Sequence, residues 1–221
     1  MVMAMNVWKR VRAIEAAADA TFAERETETR LILIGLLSGQ NVFLLGEPGT
    51  GKSALVRWLA DHLGLTTFRV GLSAQSPKDA LIGPPDVKAL TEHGRYVHRV
   101  EGMMPDRQLA ILDEIGLAPP DTLEAVAGLL NPDERIFAQA GEELATPLVS
   151  VVGTSNEPLT SKKVWDRFAI RRVVHRIQDS DEWIRVVAGH AKAKAVAPLE
   201  SGELAKAVDE VAKVEVSRVQ R

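Results

Sequence analysis

Runs of apolar and polar positions switch repeatedly between helical and extended spacing along this chain. Over residues 13–38 charged side chains interleave with Ala and Leu at helical spacing, and Gly39 stands where a helix would end, so one helix is predicted there. The compact apolar run Asn41-Val-Phe-Leu-Leu45 predicts a buried strand that passes directly into a glycine-rich turn, 46–51. From Lys52 onward Leu55, Trp58, Leu59 and Leu63 recur at helical spacing, with Gly64 as the C-terminal cap. Further strands are predicted at 66–70, 109–112, 149–152 and 170–174. Ser76-Pro77 opens a short helix, Pro119-Pro120-Asp121 leads into a helix over 122–130, and another helix covers 161–168. Residues 95–100 alternate after a His93-Gly94 turn and predict a hairpin strand. Residues 135–150, with Ala140-Gly141 in their middle, predict a second hairpin whose last strand continues through 149–152. Strands separated by helical segments imply an α/β fold, with a mostly parallel sheet covered on both faces. Beyond Asp179 the pattern changes to two helices, 181–191 and 201–213, joined by an Ala/Lys/Pro-rich stretch at 192–198, and residues 214–217 approach a further helix.

Composition narrows this picture only a little. The 221 residues suffice for one large domain, or one domain and part of a second, and 46% hydrophobic with 26% charged residues is a globular balance. A net charge of -3 gives no electrostatic case for nucleic acid as the main partner. The absence of cysteine excludes a disulfide framework and thiolate metal sites, and fits a cytoplasmic location. The strongest apolar stretch, 31–37, is far shorter than the roughly 20 residues that span a bilayer.

Candidate chemistry begins with Gly46-Glu47-Pro48-Gly49-Thr50-Gly51-Lys52-Ser53, which matches G-x-x-x-x-G-K-[ST] and is followed by Ala54 at the start of a helix. A triphosphate needs several donors converging on its oxygens. Glycines permit the tight loop and expose successive backbone N–H groups, the helix dipole adds to their field, and Lys52 supplies a point charge. The Ser53 hydroxyl is a candidate magnesium ligand. A second apolar strand, Leu109-Ala-Ile-Leu, ends in Asp113 and Glu114. Ligands sit at such strand ends in doubly wound sheets, so Asp113 is a candidate to hold magnesium and Glu114 to polarise an attacking water. A third strand, Val149-Ser-Val-Val-Gly-Thr-Ser, ends at Asn156, which could orient that water or touch the γ-phosphate, or simply form the turn before Glu157-Pro158. Arg167 falls near a predicted helix end; it is either a surface partner of Asp166 or an arginine presented to a transferring phosphate on a neighbouring subunit.

These four elements in this order resemble the MoxR family of AAA+ ATPases, most closely its RavA-type branch. The stretches that carry the likeness are Leu36-Leu-Ser-Gly-Gln-Asn-Val-Phe-Leu-Leu-Gly46, Gly94-Arg-Tyr, Leu112-Asp-Glu-Ile, Thr154-Ser-Asn-Glu157 and Asp166-Arg-Phe168. The resemblance implies a three-layer P-loop NTPase with a five-stranded sheet over 1–179, a helix-2 insert near 83–102 and a pre-sensor hairpin near 135–148. Residues 180–221 would begin a helical lid, incomplete because no sensor 2 position follows. By the same resemblance 46–53 is the Walker A loop, 109–114 the Walker B strand, Asn156 sensor 1 and Arg167 the arginine finger. It implies ATP and Mg2+ as ligands, a ring homo-oligomer (often a hexamer), and chaperone-like remodelling of a protein substrate together with a partner bearing a von Willebrand factor A (vWA) domain. Two other functions stay open on the residues themselves: a nucleotide-gated binding module with little turnover, and a nucleic-acid motor of the same superfamily, which the acidic charge disfavours.

The remaining candidates read as structural. The five histidines show no metal-ligand spacing, the pairs Lys162-Lys163 and Arg171-Arg172 lack an aromatic platform and read as solvated charge, and Met103-Met104 reads as core or loop packing.

Overall fold

The computed structural model describes residues 2–187, 196–200 and 202–212. Two N-terminal helices, α1 (Val2–Thr21) and α2 (Glu26–Ser38), lead into β1 (Val42–Gly46), the glycine turn and α3 (Lys52–His62). Then follow β2 (Thr67–Gly71), the short helices α4 (Asp79–Ile82) and α5 (Val87–His93), β3 (Leu109–Asp113), and α6 (Pro120–Glu124) with α7 (Ala127–Leu130). A two-stranded hairpin, β4 (Ile136–Gln139) and β5 (Glu142–Ala145), precedes β6 (Ser150–Ser155), α8 (Lys162–Trp165) and β7 (Ile170–Val174). Helices α9 (Ser180–Val187) and α10 (Glu203–Ala212) come last.

The main sheet is parallel throughout and runs β2-β3-β6-β1-β7. Alternation along its strands builds two cores. Val42, Leu44, Leu109, Ile111 and Val152 face a cluster with α1, α2, α3 and α10, whereas Phe43, Ala110, Leu112 and Val151 face a second one with α6, α7, Met104 and Phe168. Both sets are almost fully buried, which is how a two-sided parallel sheet consumes continuous apolar runs. The architecture is the predicted three-layer α/β fold with a five-stranded parallel sheet.

Four sequence expectations are corrected. The single helix over 13–38 is two helices, broken at 22–25, with Glu24 in the left-handed region (φ 53). No glycine or proline marks that break, so helical periodicity runs straight through it. The 83–102 stretch holds no hairpin strand. Its centre is α5, whose Asp86 carboxylate accepts from the Lys88 and Ala89 amides and whose Gly94 closes it in the left-handed conformation (φ 62); only a bridge between Pro85 and His98 remains of the expected pairing. The helix over 122–130 is split into α6 and α7, the cap of the second being Val126 (φ -112). The hairpin at 135–148 does not run on into the next strand: β5 ends at Ala145 and pairs only with β4, and β6 joins the main sheet. Residues 188–191 of the expected helix, 192–195 of its linker and the 214–217 segment lie outside the described residues.

Among the described residues no helix is long and apolar enough to cross a membrane. Helix α10 packs against α1 and α2, with Arg10 Nη1 donating to Glu203 Oε2 at 2.5 Å and Trp8 Nε1 to Glu210 Oε2 at 3.1 Å.

Candidate phosphate-binding site

Strand register brings the chemistry-bearing residues to one edge of the sheet. Leu112 pairs with Gly153 and Leu45 with Ser155, so the tips of β3, β6 and β1 lie side by side. Gly46 ends β1 against Val174, where an added Cβ would lie 2.3 Å from the Val174 carbonyl oxygen; only glycine lets the chain leave the sheet here. The loop then turns through Gly49 (φ 80) and Gly51 (φ 83), left-handed positions that suit glycine and have open space around them. Among the described residues, none of the amides from Gly49 to Ser53 donates to a protein carbonyl. Unspent donors at the start of an eleven-residue helix form a ready anion cradle.

Lys52 is buried and reaches across this cradle. Its Nζ donates to Gly46 O at 2.6 Å, Glu47 O at 2.9 Å and Asn156 Oδ1 at 3.2 Å. Burial pushes its pKa below 10.5, and the carboxylates of Glu114 and Asp113 oppose that shift. Ser53 Oγ donates to Asp113 Oδ1 at 2.5 Å, and Thr154 Oγ1 donates to the same oxygen at 2.9 Å. A hydroxyl and a carboxylate sharing one point are hard oxygen donors, the set that suits a magnesium ion held jointly with phosphate oxygens. Glu114 follows in the left-handed conformation (φ 56, ψ 40), and its Oε2 accepts the Asn156 amide at 3.3 Å. Lys52, Ser53, Asp113, Glu114 and Asn156 are thus brought together, as the sequence predicts.

Arg167 is not among them. Its carbonyl accepts from Asn41 Nδ2 at 2.7 Å, and Asn41 precedes β1 at the opposite end from Gly46. Its neighbours are committed elsewhere: the Arg171 guanidinium lies 4.6 Å from the Trp165 ring centre and donates to Phe168 O, and Arg172 pairs with the buried Glu28 at 2.8 Å. Lys163 pairs with Glu124. Among the described residues the Arg167 side chain has no hydrogen-bond or ion-pair partner.

The structure adds residues that sequence reading missed. A cleft of about 420 Å³ beside the loop is lined by Arg25, Pro48, Gly49, Thr50, Arg176 and Trp183. Arg25, in the break between α1 and α2, donates to Thr50 O at 3.1 Å and His175 O at 2.7 Å, clamping the loop to the end of β7. Arg176 pairs with Glu47 of the loop. Glu24 accepts the amides of Gln178 and Asp179, both at distances between 2.7 and 2.9 Å, and so ties down the segment leading to α9. These positions carry no local motif; each acts across a large sequence separation.

The amides of Asp179 and then Gln178 hold the Glu24 carboxyl below its ordinary value of 4.5. A depressed carboxylate contributes its stability above the unfolded value and loses it as pH falls through the folded one. We expect the stability gap between the native chain and Glu24→Gln, measured by urea unfolding, to stay constant above pH 4.5 and to shrink on further acidification. A gap that widens on acidification would contradict this assignment.

A family model describing the MoxR domain in MoxR–vWA–β-propeller ternary systems matches residues 9–213. Two uncharacterized proteins of Methanocaldococcus jannaschii are similar, one 27% identical over 97% of this chain and the other 28% over 93%. The chain spans 57% and 56% of the lengths of these two relatives. The crystal structure of a proposed ATPase from Cytophaga hutchinsonii superposes with a TM-score of 0.75 over 98% of this chain and 67% of that one, at 17% identity, a likeness of fold.

Proposed function

The chain belongs to the MoxR domain family of the MoxR–vWA–β-propeller ternary systems, and on that premise we propose that it binds ATP with magnesium and hydrolyses it in an oligomeric, ring-forming assembly that remodels or activates a protein partner. The observation that carries the reading is the convergence of Lys52, Ser53, Asp113, Glu114 and Asn156 around a loop with unspent amides. In this reading the amides of 49–53 and Lys52 bind the β- and γ-phosphates. Ser53 and Asp113 hold magnesium, which when bound neutralises charge on those phosphates. Glu114 takes a proton from the attacking water, and Asn156 orients the water or the γ-phosphate. The cleft beside Arg25, Arg176 and Trp183 takes the nucleoside. We assign 1–179 as the nucleotide-binding unit and the described residues beyond it to a helical lid segment, of which α10 packs back onto the core of that unit against α1 and α2. The family description supports a vWA-domain protein as the companion.

Arg167 serves a neighbouring subunit. It lies at the far edge of the sheet from Lys52 and, of the three arginines between α8 and the end of β7, is the one whose guanidinium is uncommitted. A steady-state phosphate-release assay over a range of protein concentrations tests this. Turnover per subunit should rise as the ring assembles, and Arg167→Ala should lower assembled turnover by roughly 10³-fold or more while leaving nucleotide binding intact. Turnover independent of concentration would sink the shared-site reading. Tight binding without phosphate release would instead make the chain a nucleotide-gated module, and strong stimulation by DNA would make it a nucleic-acid motor.

A further inference from the structure

At the end of the sheet opposite the phosphate cradle, one fully buried side chain spends its whole hydrogen-bonding capacity. Asn41 Nδ2 donates to Leu130 O and to Arg167 O, both at 2.7 Å, and Asn41 Oδ1 accepts from Val151 N at 3.0 Å and Arg135 Nη2 at 2.7 Å. Two donors and two acceptor positions are all that an amide side chain has. The Arg135 that meets it is itself buried, with a left-handed backbone (φ 49). Its guanidinium also donates to Leu129 O at 2.7 Å, Gly39 O at 2.9 Å and Val149 O at 3.2 Å. Four chain segments therefore meet at this pair: the end of α2, the stretch from α7 into the β4–β5 hairpin, the start of β6, and the turn after α8 that carries Arg167.

Burying a guanidinium is costly, and here burial pushes its pKa down to about 10 while its Nε has no partner among the described residues. Apolar side chains could fill the same space at the sheet edge. What they could not do is hold a backbone carbonyl in place through a hydrogen-bonded amide. The carbonyl so held belongs to Arg167.

We infer that Asn41 and Arg135 are positioning residues for Arg167, fixing the backbone from which its guanidinium reaches a neighbouring subunit. This rests on the reading of Arg167 given above. The contact of Asn41 with the Arg167 backbone leaves the guanidinium itself free, and Arg135 locks the orientation of the Asn41 amide so that its donors face Arg167 O and Leu130 O. Because Arg135 also opens the hairpin, with its own carbonyl accepting from Thr146 Oγ1 at 2.8 Å, the position of Arg167 is tied to the hairpin base.

Mixed assemblies test it. Lys52→Ala subunits can donate Arg167 without hydrolysing, and Arg167→Ala subunits can hydrolyse only with a donated arginine, so mixing the two should restore phosphate release. Adding Asn41→Asp to the donor subunits should cut the restored turnover roughly 10- to 100-fold, the scale of a misplaced catalytic group, whereas adding it to the Arg167→Ala subunits should leave it nearly unchanged. The asymmetry is the readout, because a merely structural defect would act in either subunit. Equal loss in both arrangements, or loss in neither, overturns the inference. Failure of the starting pair to complement overturns the assignment of Arg167 itself, and the inference with it. Circular dichroism and sedimentation confirm folding and incorporation of the donor; where Asn41→Asp does not fold, Arg135→Met, which keeps an apolar stem in place, carries the same comparison.

Discussion

Lys52→Ala is expected to weaken ATP binding more than 100-fold and to abolish turnover, with the fold retained. The ammonium sits among Gly46 O, Glu47 O and Asn156 Oδ1, poised over the loop rather than extended into solvent. A bound triphosphate would exchange these neutral acceptors for charged oxygens. Charge-assisted hydrogen bonds contribute about 1.5–3 kcal/mol each, so losing two of them costs about 3–6 kcal/mol, and each 1.4 kcal/mol is tenfold in affinity. The fold should survive because Lys52 serves no core. Its partners are loop carbonyls and a side chain at the strand tips, and removing an ammonium whose pKa burial already depresses relieves a desolvation cost. Titration with a fluorescent ATP analogue, beside a thermal melt of the unliganded protein, separates the two effects. Binding within threefold of the native chain, with an unchanged melt, would remove the phosphate reading of this loop.

How much of this was legible beforehand follows from how far each residue reaches along the chain. The loop from Gly46 to Ser53 is contiguous, and its glycines, lysine and hydroxyl announce their roles by spacing alone. Asp113, Glu114 and Asn156 are readable one step further, since each ends an apolar strand and parallel strands bring their tips together. Beyond that, sequence reading stops. Arg25 clamps His175 from 150 positions away, and Arg135 reaches Asn41 across 94. Nothing local to an arginine in a charged helical stretch, or to one at a hairpin base, distinguishes a buried clamp from a solvated side chain. The helix break at 22–25 was hidden for a related reason: it is made by tertiary partners of Glu24 and Arg25 and not by a residue that disfavours helix. The hairpin expected at 95–100 did not form because the residues just before it, 87–93, make a helix capped by Asp86 and Gly94, which leaves only the bridge between Pro85 and His98.

On the proposed reading the same geometry separates binding from chemistry. Ser53 and Thr154 both converge on Asp113, and Lys52 is held by Asn156, so the β3 and β6 tips respond to the loop as one unit. Among the described residues Glu114 makes no hydrogen bond to the loop: its partner is the Asn156 amide, and it acts on the loop through its charge on Lys52.

Glu114→Gln should therefore keep ATP binding and lose turnover by about 10²–10⁴-fold, the usual contribution of a positioned general base. Glutamine keeps the length and shape of the side chain, and its amide oxygen can still accept from Asn156 N–H, so the left-handed backbone at this residue (φ 56) has no new reason to relax. What it removes is the ability to take a proton. It also removes the larger of the two carboxylate contributions that favour the charged form of Lys52, while that of Asp113 remains. Calorimetric titration of ATP with magnesium should give a dissociation constant close to that of the native chain, and single-turnover phosphate release should give the loss. Asn156→Ala makes the instructive contrast: it frees Lys52 from an acceptor while leaving the base in place, so it should lower turnover by about 10²–10³-fold, no more than Glu114→Gln. Full turnover in Glu114→Gln would mean that another group activates the water, and loss of binding in it would place Glu114 in the cradle instead of beside it.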